Sequence, residues 1–298
     1  MKKYLFYTLP LLLYILTCSK NSLETGTKKI SIKIIQGERI SDFCSRIEKS
    51  GYSDCYSFET VAAKEKFADF KFVPAVNNIK RFEGLFRPGS YNVEINKIDC
   101  KSSLLDAKEI KDTANSECRQ RYHENAGRII LHLLEKASDR YDGKSFKKFY
   151  EEITLASIIE KEAASNKNYD MVSSVFHNRL NKNMVLGSCP TVEYALGYHR
   201  PFLLNIDIAI QSPYNVYKRK GLPPTPIAFF SDEALSAARN PAKSNYIFFV
   251  FDWTTGDLNF SEKYERHKIY AENARKNFIN KFGKESIHKV YPDKFYEL

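Results

Sequence analysis

The segment Thr154–Asn166, TLASIIEKEAASN, reads as a helix with a carboxylate on its inward face. At about 100° per residue, Ile153, Ala156, Ile159 and Ala163 share one stripe, and Glu160, seven positions after Ile153, projects from it. Such a helix must pack against other elements and still accommodate an acid. The residues one turn away, Ala156, Ala163 and Ala164, are small and predict a hollow around Glu160 rather than a filled core. Desolvation there would raise the carboxyl pKa toward the range a general acid needs. The competing reading is a Glu paired with a buried Arg or capping a neighbouring segment. Glu162, about 200° further round, falls at the edge of the stripe and is expected at the surface.

The first residues, MKKYLFYTLPLLLYILTCSK, place Lys2 and Lys3 before an apolar run from Tyr4 to Leu16, which reads as an export signal or membrane anchor over residues 1–18. The run is short for a comfortable membrane span, and ILTC loosely resembles a lipobox, so Cys18 is a candidate for acylation in place of an uncleaved anchor. A polar linker, residues 19–27, follows. The bulk of the chain is therefore expected outside the cytoplasm, tethered to the cytoplasmic membrane.

From Ile30 to Ile34 apolar and polar residues alternate; after QGE the spacing becomes helical through Ile40, Phe43 and Ile47 and stops at Gly51. This is a strand followed by a helix, the start of a small α+β module over residues 28–80. RFEGLFRPGSYNV crowds Gly84, Pro88 and Gly89 among aromatics and reads as a shaped loop, with a domain boundary at its start. A second domain, residues 81–298, carries helices over Ala107–Tyr141, Ser145–Ser165 and Tyr169–Asn183. NYIFFVFDWTTGDLNFS then signals a β-hairpin, and a basic final helix reads as a solvated cover. The fold class is α+β.

After Cys18 the chain holds Cys44, Cys55, Cys100, Cys118 and Cys189, an odd number in a compartment that permits disulfides. Nearness in sequence favours Cys44 with Cys55 and Cys100 with Cys118. No CxxC or HExxH spacing is present, so neither a metal nor another cofactor is expected. The formal charge of +10 suits work beside anionic head groups or an acidic polymer. Nucleic acid is not the expected partner of an exported chain without a recognisable nucleic-acid module.

LASIIEKEA, VFHNRL, PTVEYALG, QSPYNVYKRKGLPPTPI, ARNPAKSNYIFFV and FSEKYERH follow one another in order. Together they closely resemble the YceG-like family of endolytic murein transglycosylases (MltG) over roughly Phe82 to His267. The match is weaker in IKIIQGERISDFCSRI, which is similar to the family's LysM-like N-terminal part. The resemblance implies a LysM-like module followed by a catalytic domain, with Glu160 as the catalytic acid/base. It further implies substrate-binding roles for Asn178, Arg179, Thr191, Tyr194, Gln211, Tyr214 and Asn215, peptidoglycan glycan strands as substrate, and glycan-polymerising synthases as partners. Tyr and Asn suit sugars, offering stacking faces and paired donors and acceptors, though ordinary loop hydrogen bonding would use the same residues. Arg179 has the guanidinium to hold a carboxylate of the peptide stem or the lactyl ether, or to serve in a structural ion pair beneath the cleft. The chain departs from the family pattern at Cys189, Thr225 and Leu258.

A hydrolase acting on a glycosidic bond uses two carboxylates. A lytic transglycosylase needs one, because the 6-hydroxyl of the muramyl sugar attacks its own anomeric carbon with a large effective molarity. A water-using muramidase and a non-catalytic peptidoglycan-binding scaffold are the competing functions. Asp207, Asp252 and Glu193 remain available as second carboxylates.

Overall fold

The computed structural model describes residues 26–98 and 116–290, apart from 142, 144 and 164. The expected anchor, Cys18, most of the linker, Cys100, Ala164 and the start of the helix expected from Ala107 lie outside the described residues. Within them no helix is long and apolar enough to cross a membrane.

The chain opens with strand β1 (Thr27–Ile34), then helices α1 (Ile40–Lys49) and α2 (Cys55–Lys64), and strand β2 (Gly89–Asn96). β1 and β2 pair antiparallel from Thr27 with Asn96 to Ile34 with Gly89. Alternation in β1 turns Ile30, Ile32 and Ile34 inward, while α1 buries Ile40, Phe43 and Ile47 on one stripe. Asp54 caps α2 by accepting from the Ser57 N–H at 2.7 Å, and a disulfide joins Cys44 to Cys55. The sequence pattern predicts a loop through Val93 and a boundary at residue 80. Instead Gly89–Asn96 is the second strand, and the sheet is completed from beyond that boundary. Pro88 and Gly89 obscured it, since both residues ordinarily mark turns.

Helices α3 (Ser116–Ala137), α4 (Phe146–Glu162), α5 (Tyr169–Asn181), α6 (Cys189–Leu196), α7 (Asn205–Ile208) and α8 (Asp232–Arg239) follow. A hairpin of β3 (Phe248–Asp252) and β4 (Asp257–Ser261) is backed by α9 (Tyr264–Phe282). The architecture is α+β. Helix α4 is central: every residue from Glu152 to Ile159 is buried, and α4 packs against α5, α6 and α8. Its inward Glu152 is paired with Arg239 of α8 at 2.7 Å, which removes the penalty of an isolated buried charge.

One apolar core runs from Ile30 through Ala238, across the sheet, α1 and the central helices. Phe43 of α1, Phe86 and Phe229 meet ring to ring, with centroids 5.5–6.2 Å apart. Two backbone bonds reinforce this junction: Gly37 N–H donates to the Phe229 carbonyl and Phe229 N–H to the Glu38 carbonyl, each at 2.8 Å. Gly37 sits at φ +76°, a conformation open to glycine at little cost. Gly84 is equally constrained, because a Cβ there would fall 2.5 Å from the Pro226 side chain. The β1–α1 turn is thereby clamped beside the loop that precedes α8.

Candidate active site

That junction opens into a cleft of about 560 Å³, lined by the β1–α1 turn, the end of α4, Tyr169, α6 and the start of α8. Glu160 lies in it, half-buried. Its Oε1 accepts from the Gln36 amide at 2.6 Å and the Tyr169 hydroxyl at 2.7 Å; its Oε2 accepts from the Ser231 backbone N–H at 2.9 Å and the Ser231 hydroxyl at 2.8 Å. Gln36 also donates to the Tyr169 hydroxyl at 3.0 Å. The expected alanine-lined hollow is therefore a polar cradle, assembled from three segments far apart in sequence. The Glu–Arg alternative is not what forms, since all four donors to Glu160 are neutral.

Ser231 is the N-cap of α8, its hydroxyl accepting from the Ala234 N–H at 3.2 Å. Both its neighbours are fixed. Arg140 donates to the Phe230 carbonyl at 2.9 Å and to Asp232 at 2.8 Å, and Arg87 joins Asp232 to Asp139. Burial pushes the Asp232 carboxyl up, but the two guanidinium groups outweigh it and hold the acid below its ordinary range. Tyr169 is kept protonated by burial and by the Glu160 charge beside it.

The other carboxylates of the cleft differ in their engagements. Glu193 meets the His199 ring at 3.0 Å and the Arg200 N–H at 3.2 Å, Glu38 is bridged to Arg46 at 2.8 Å, and Asp42 pairs with Arg39 at 2.9 Å. Glu233, in the first turn of α8, is exposed. Lys161 reaches back to the Gly37 carbonyl at 3.3 Å and so fastens the turn that delivers Gln36. Beneath the cleft, Glu83 is fully buried and accepts from the Ile40 N–H at 3.0 Å and the Tyr194 hydroxyl at 2.9 Å. Burial raises its carboxyl to about 7.

Of the other residues singled out in the sequence, Tyr194 lines the cleft, and the Tyr214 ring meets it at a tilt, with centroids 4.8 Å apart. The Tyr214 hydroxyl meets that of Thr225 at 2.8 Å. The remainder turn away. Asn178 gives its amide to the Ser244 and Tyr246 carbonyls, and Arg179 its guanidinium to those of Ile247 and Leu186. Buried Asn215 ties the Ile208 and Ile210 carbonyls, and buried Thr191 bonds the Ser188 carbonyl within its own helix start. Gln211 is exposed beside a separate shallow depression. Asp207 is bound to Arg200 and Tyr198, and Asp252 to Thr254 and Asn277.

Glu162 is not the surface residue its helical angle predicted. It turns toward Ser188 and the Cys189 N–H at the start of α6, where burial raises its carboxyl to about 7. The angular estimate failed because α6 packs over that edge of α4. Cys189 is a free thiol in contact with the Tyr217 hydroxyl at 3.0 Å, whereas Cys118 is disulfide-bonded. Among the described residues no group of three or more His, Cys, Asp or Glu could hold a metal ion.

Sequence reasoning missed Gln36, Tyr169 and Ser231. Gln36 was visible only as part of the QGE turn and Tyr169 only as a helix start. Ser231 carried a local signal, since Ser followed by Asp and Glu is an N-cap signature that would have marked α8.

The fold and cleft define an α+β protein with a glutamate, Glu160, held by neutral donors in a groove lined by tyrosine and polar side chains. The chain belongs to the YceG-like family, whose model matches residues 17–273. Over 120 residues it is 41% identical to the endolytic murein transglycosylase of Bacillus subtilis strain 168, covering 40% of this chain and 33% of that protein. It is 38% identical over 120 residues to the endolytic murein transglycosylase of Streptococcus pneumoniae strain D39, covering 39% of this chain and 22% of that one. The matched segment thus spans a third or less of these relatives. The crystal structure of a YceG-like protein from Listeria monocytogenes aligns with a TM-score of 0.53 at 29% identity, covering 80% of this chain and 75% of that one.

Proposed function

We propose that this chain is an endolytic peptidoglycan lytic transglycosylase, with Glu160 as its single acid/base. The observation that carries the reading is the cradle of Glu160, whose two oxygens are held by donors of different kinds. Oε2 faces a backbone N–H that can only donate, so it stays an acceptor in either protonation state. Oε1 faces the Gln36 amide and the Tyr169 hydroxyl, side chains that can turn, and is the oxygen free to carry the proton. The protonated acid gives that proton to the glycosidic oxygen as the bond to the anomeric carbon of the muramyl sugar breaks. The same sugar's 6-hydroxyl closes on that carbon and returns its proton to Glu160, leaving a 1,6-anhydro end with no water consumed.

The names of the relatives support the reaction class, and the engaged state of Glu38, Asp42 and Glu193 favours a one-carboxylate scheme. Exposed Glu233 is the residue a water-using muramidase would recruit. Tyr194 offers an aromatic face to the sugar with Tyr214 behind it; Asn178, Arg179, Thr191 and Asn215 hold the surrounding segments through backbone carbonyls. The order strand, helix, helix, antiparallel strand over residues 27–96 supports a LysM-like unit. The basic charge and the apolar N-terminal run support an anchor in the cytoplasmic membrane, with the rest of the chain facing nascent glycan and its synthases.

Mass spectrometry of purified peptidoglycan strands after digestion tests the reading. Anhydro ends made by the wild type, lost in Glu160→Gln and kept in Glu233→Gln, are expected. Reducing ends would establish the muramidase, and no cleavage at all would leave a binding scaffold.

A further inference from the structure

A second cavity, of about 570 Å³, lies against the N-terminal part of α4. Its floor is the N-terminal part of α4, where the Phe146 and Tyr150 rings stack with centroids 5.1 Å apart and planes 19° from parallel. Leu222, Pro223 and Pro224 form the opposite wall, which is stiff because proline fixes its own φ. Phe146 is 38% exposed at the start of α4, so its ring is open to a ligand. Lys147, Glu151 and Thr154 supply polar groups at the rim. Thr225, next to Pro224, is bonded to Tyr214, whose ring contacts that of Tyr194 in the Glu160 cleft, so a short chain of contacts links the two cavities. Both are also built on α4: Tyr150 and Phe146 stand ten and fourteen residues before Glu160, or about 15 and 21 Å along the axis at 1.5 Å per residue.

The geometry points to this cavity as a distal saccharide subsite that holds the glycan strand several sugar units from the bond cut at Glu160. Flat aromatic faces with a polar rim match a pyranose, which presents apolar C–H faces and hydroxyl edges. A rigid helix joining cleft and cavity fixes the spacing between them. The inference rests on the proposed transglycosylase reading and extends it: remote binding energy gathered here would raise kcat/KM only for strands long enough to reach.

The test uses the full chain and uncrosslinked glycan strands stripped of stem peptides and fractionated by length. For the wild type kcat/KM should climb with strand length; in Phe146→Ala that climb should flatten at least fivefold, and in Phe146→Tyr it should return. A Phe146→Ala enzyme with the wild-type length dependence would overturn the proposal. So would an effect seen only on strands that keep their stem peptides, which would make a peptide the occupant. A second arm titrates β-1,4-linked N-acetylglucosamine oligomers into Glu160→Gln by calorimetry, with and without Phe146→Ala. Weaker binding of the longer oligomers in the double variant is expected. If the wild type cuts no glycan but this difference appears, the subsite stands and the catalytic reading falls; if it cuts and neither difference appears, the subsite alone falls.

Discussion

Glu160 and Asn215 are both polar residues within the motifs of the family, yet their surroundings differ in kind. Glu160 is half-open, and its partners are side chains and a helix N-terminus gathered from residues 36, 169 and 231. Asn215 is fully buried, and its amide spans two carbonyls of the loop beside it. Asn178 and Arg179 resemble Asn215, holding the segment that leads into β3. The polar residues singled out by the sequence thus fall into two kinds, according to whether their hydrogen bonds end on backbone carbonyls or leave a face open to the cleft.

The largest expected effect breaks this contrast at its catalytic end. Glu160→Gln should lower turnover by about 10²–10⁴-fold while moving stability by no more than about 1 kcal/mol, measured by glycan cleavage beside thermal melting. A Gln variant that cleaves at the wild-type rate would remove Glu160 from the chemistry. Asn215→Ala should do the opposite, leaving two buried carbonyls without a donor and lowering stability by about 2–3 kcal/mol in denaturant unfolding. Should its melting stay at the wild-type value while affinity for glycan drops, Asn215 would belong to the binding surface after all.

Ser231→Ala keeps the backbone N–H on Oε2 and loses only the hydroxyl. Turnover should fall about tenfold and stability by about 1 kcal/mol, the usual loss on removing an N-cap. A further effect is written in pH. The Glu83 carboxyl lies at about 7 in the folded chain against an ordinary 4.5, so the native state binds more protons than the unfolded chain between those values. Stability should therefore fall as pH rises from 4.5 to 7, and Glu83→Gln should flatten part of that slope, as read from denaturant midpoints across the range. Least of all, Gln211→Ala, exposed and away from the cleft, should stay within about 0.5 kcal/mol of the wild type and keep its activity.

Much of the frame was legible because it is local. The 3.6-residue period exposed α4 and the inward Glu160, and two apolar arms around TTGD announced the hairpin. Alternation through Ile30–Ile34 gave β1. What stayed hidden depends on contacts between distant segments. Nothing near Gln36 says that its turn will be clamped to Phe229, and nothing near Glu162 says that α6 will cover it. β2 was concealed for a different reason, since Pro88 and Gly89 at its start are ordinarily turn residues. The candidate site was half legible: its acid could be found from one helix, but its cradle could not.

The clamp between the Gly37 turn and Phe229 bears on how this protein can be divided. The first β-α-α-β unit has the outline of an accessory module that could be trimmed away or exchanged for another. Yet its turn delivers the Gln36 amide to Glu160, and its sheet closes only through β2. A shortened chain starting after residue 80 would lack one wall of the Glu160 cleft. Chimeras that graft a foreign N-terminal unit onto the helical part would have to carry over this turn intact to keep the Gln36 contact with Glu160.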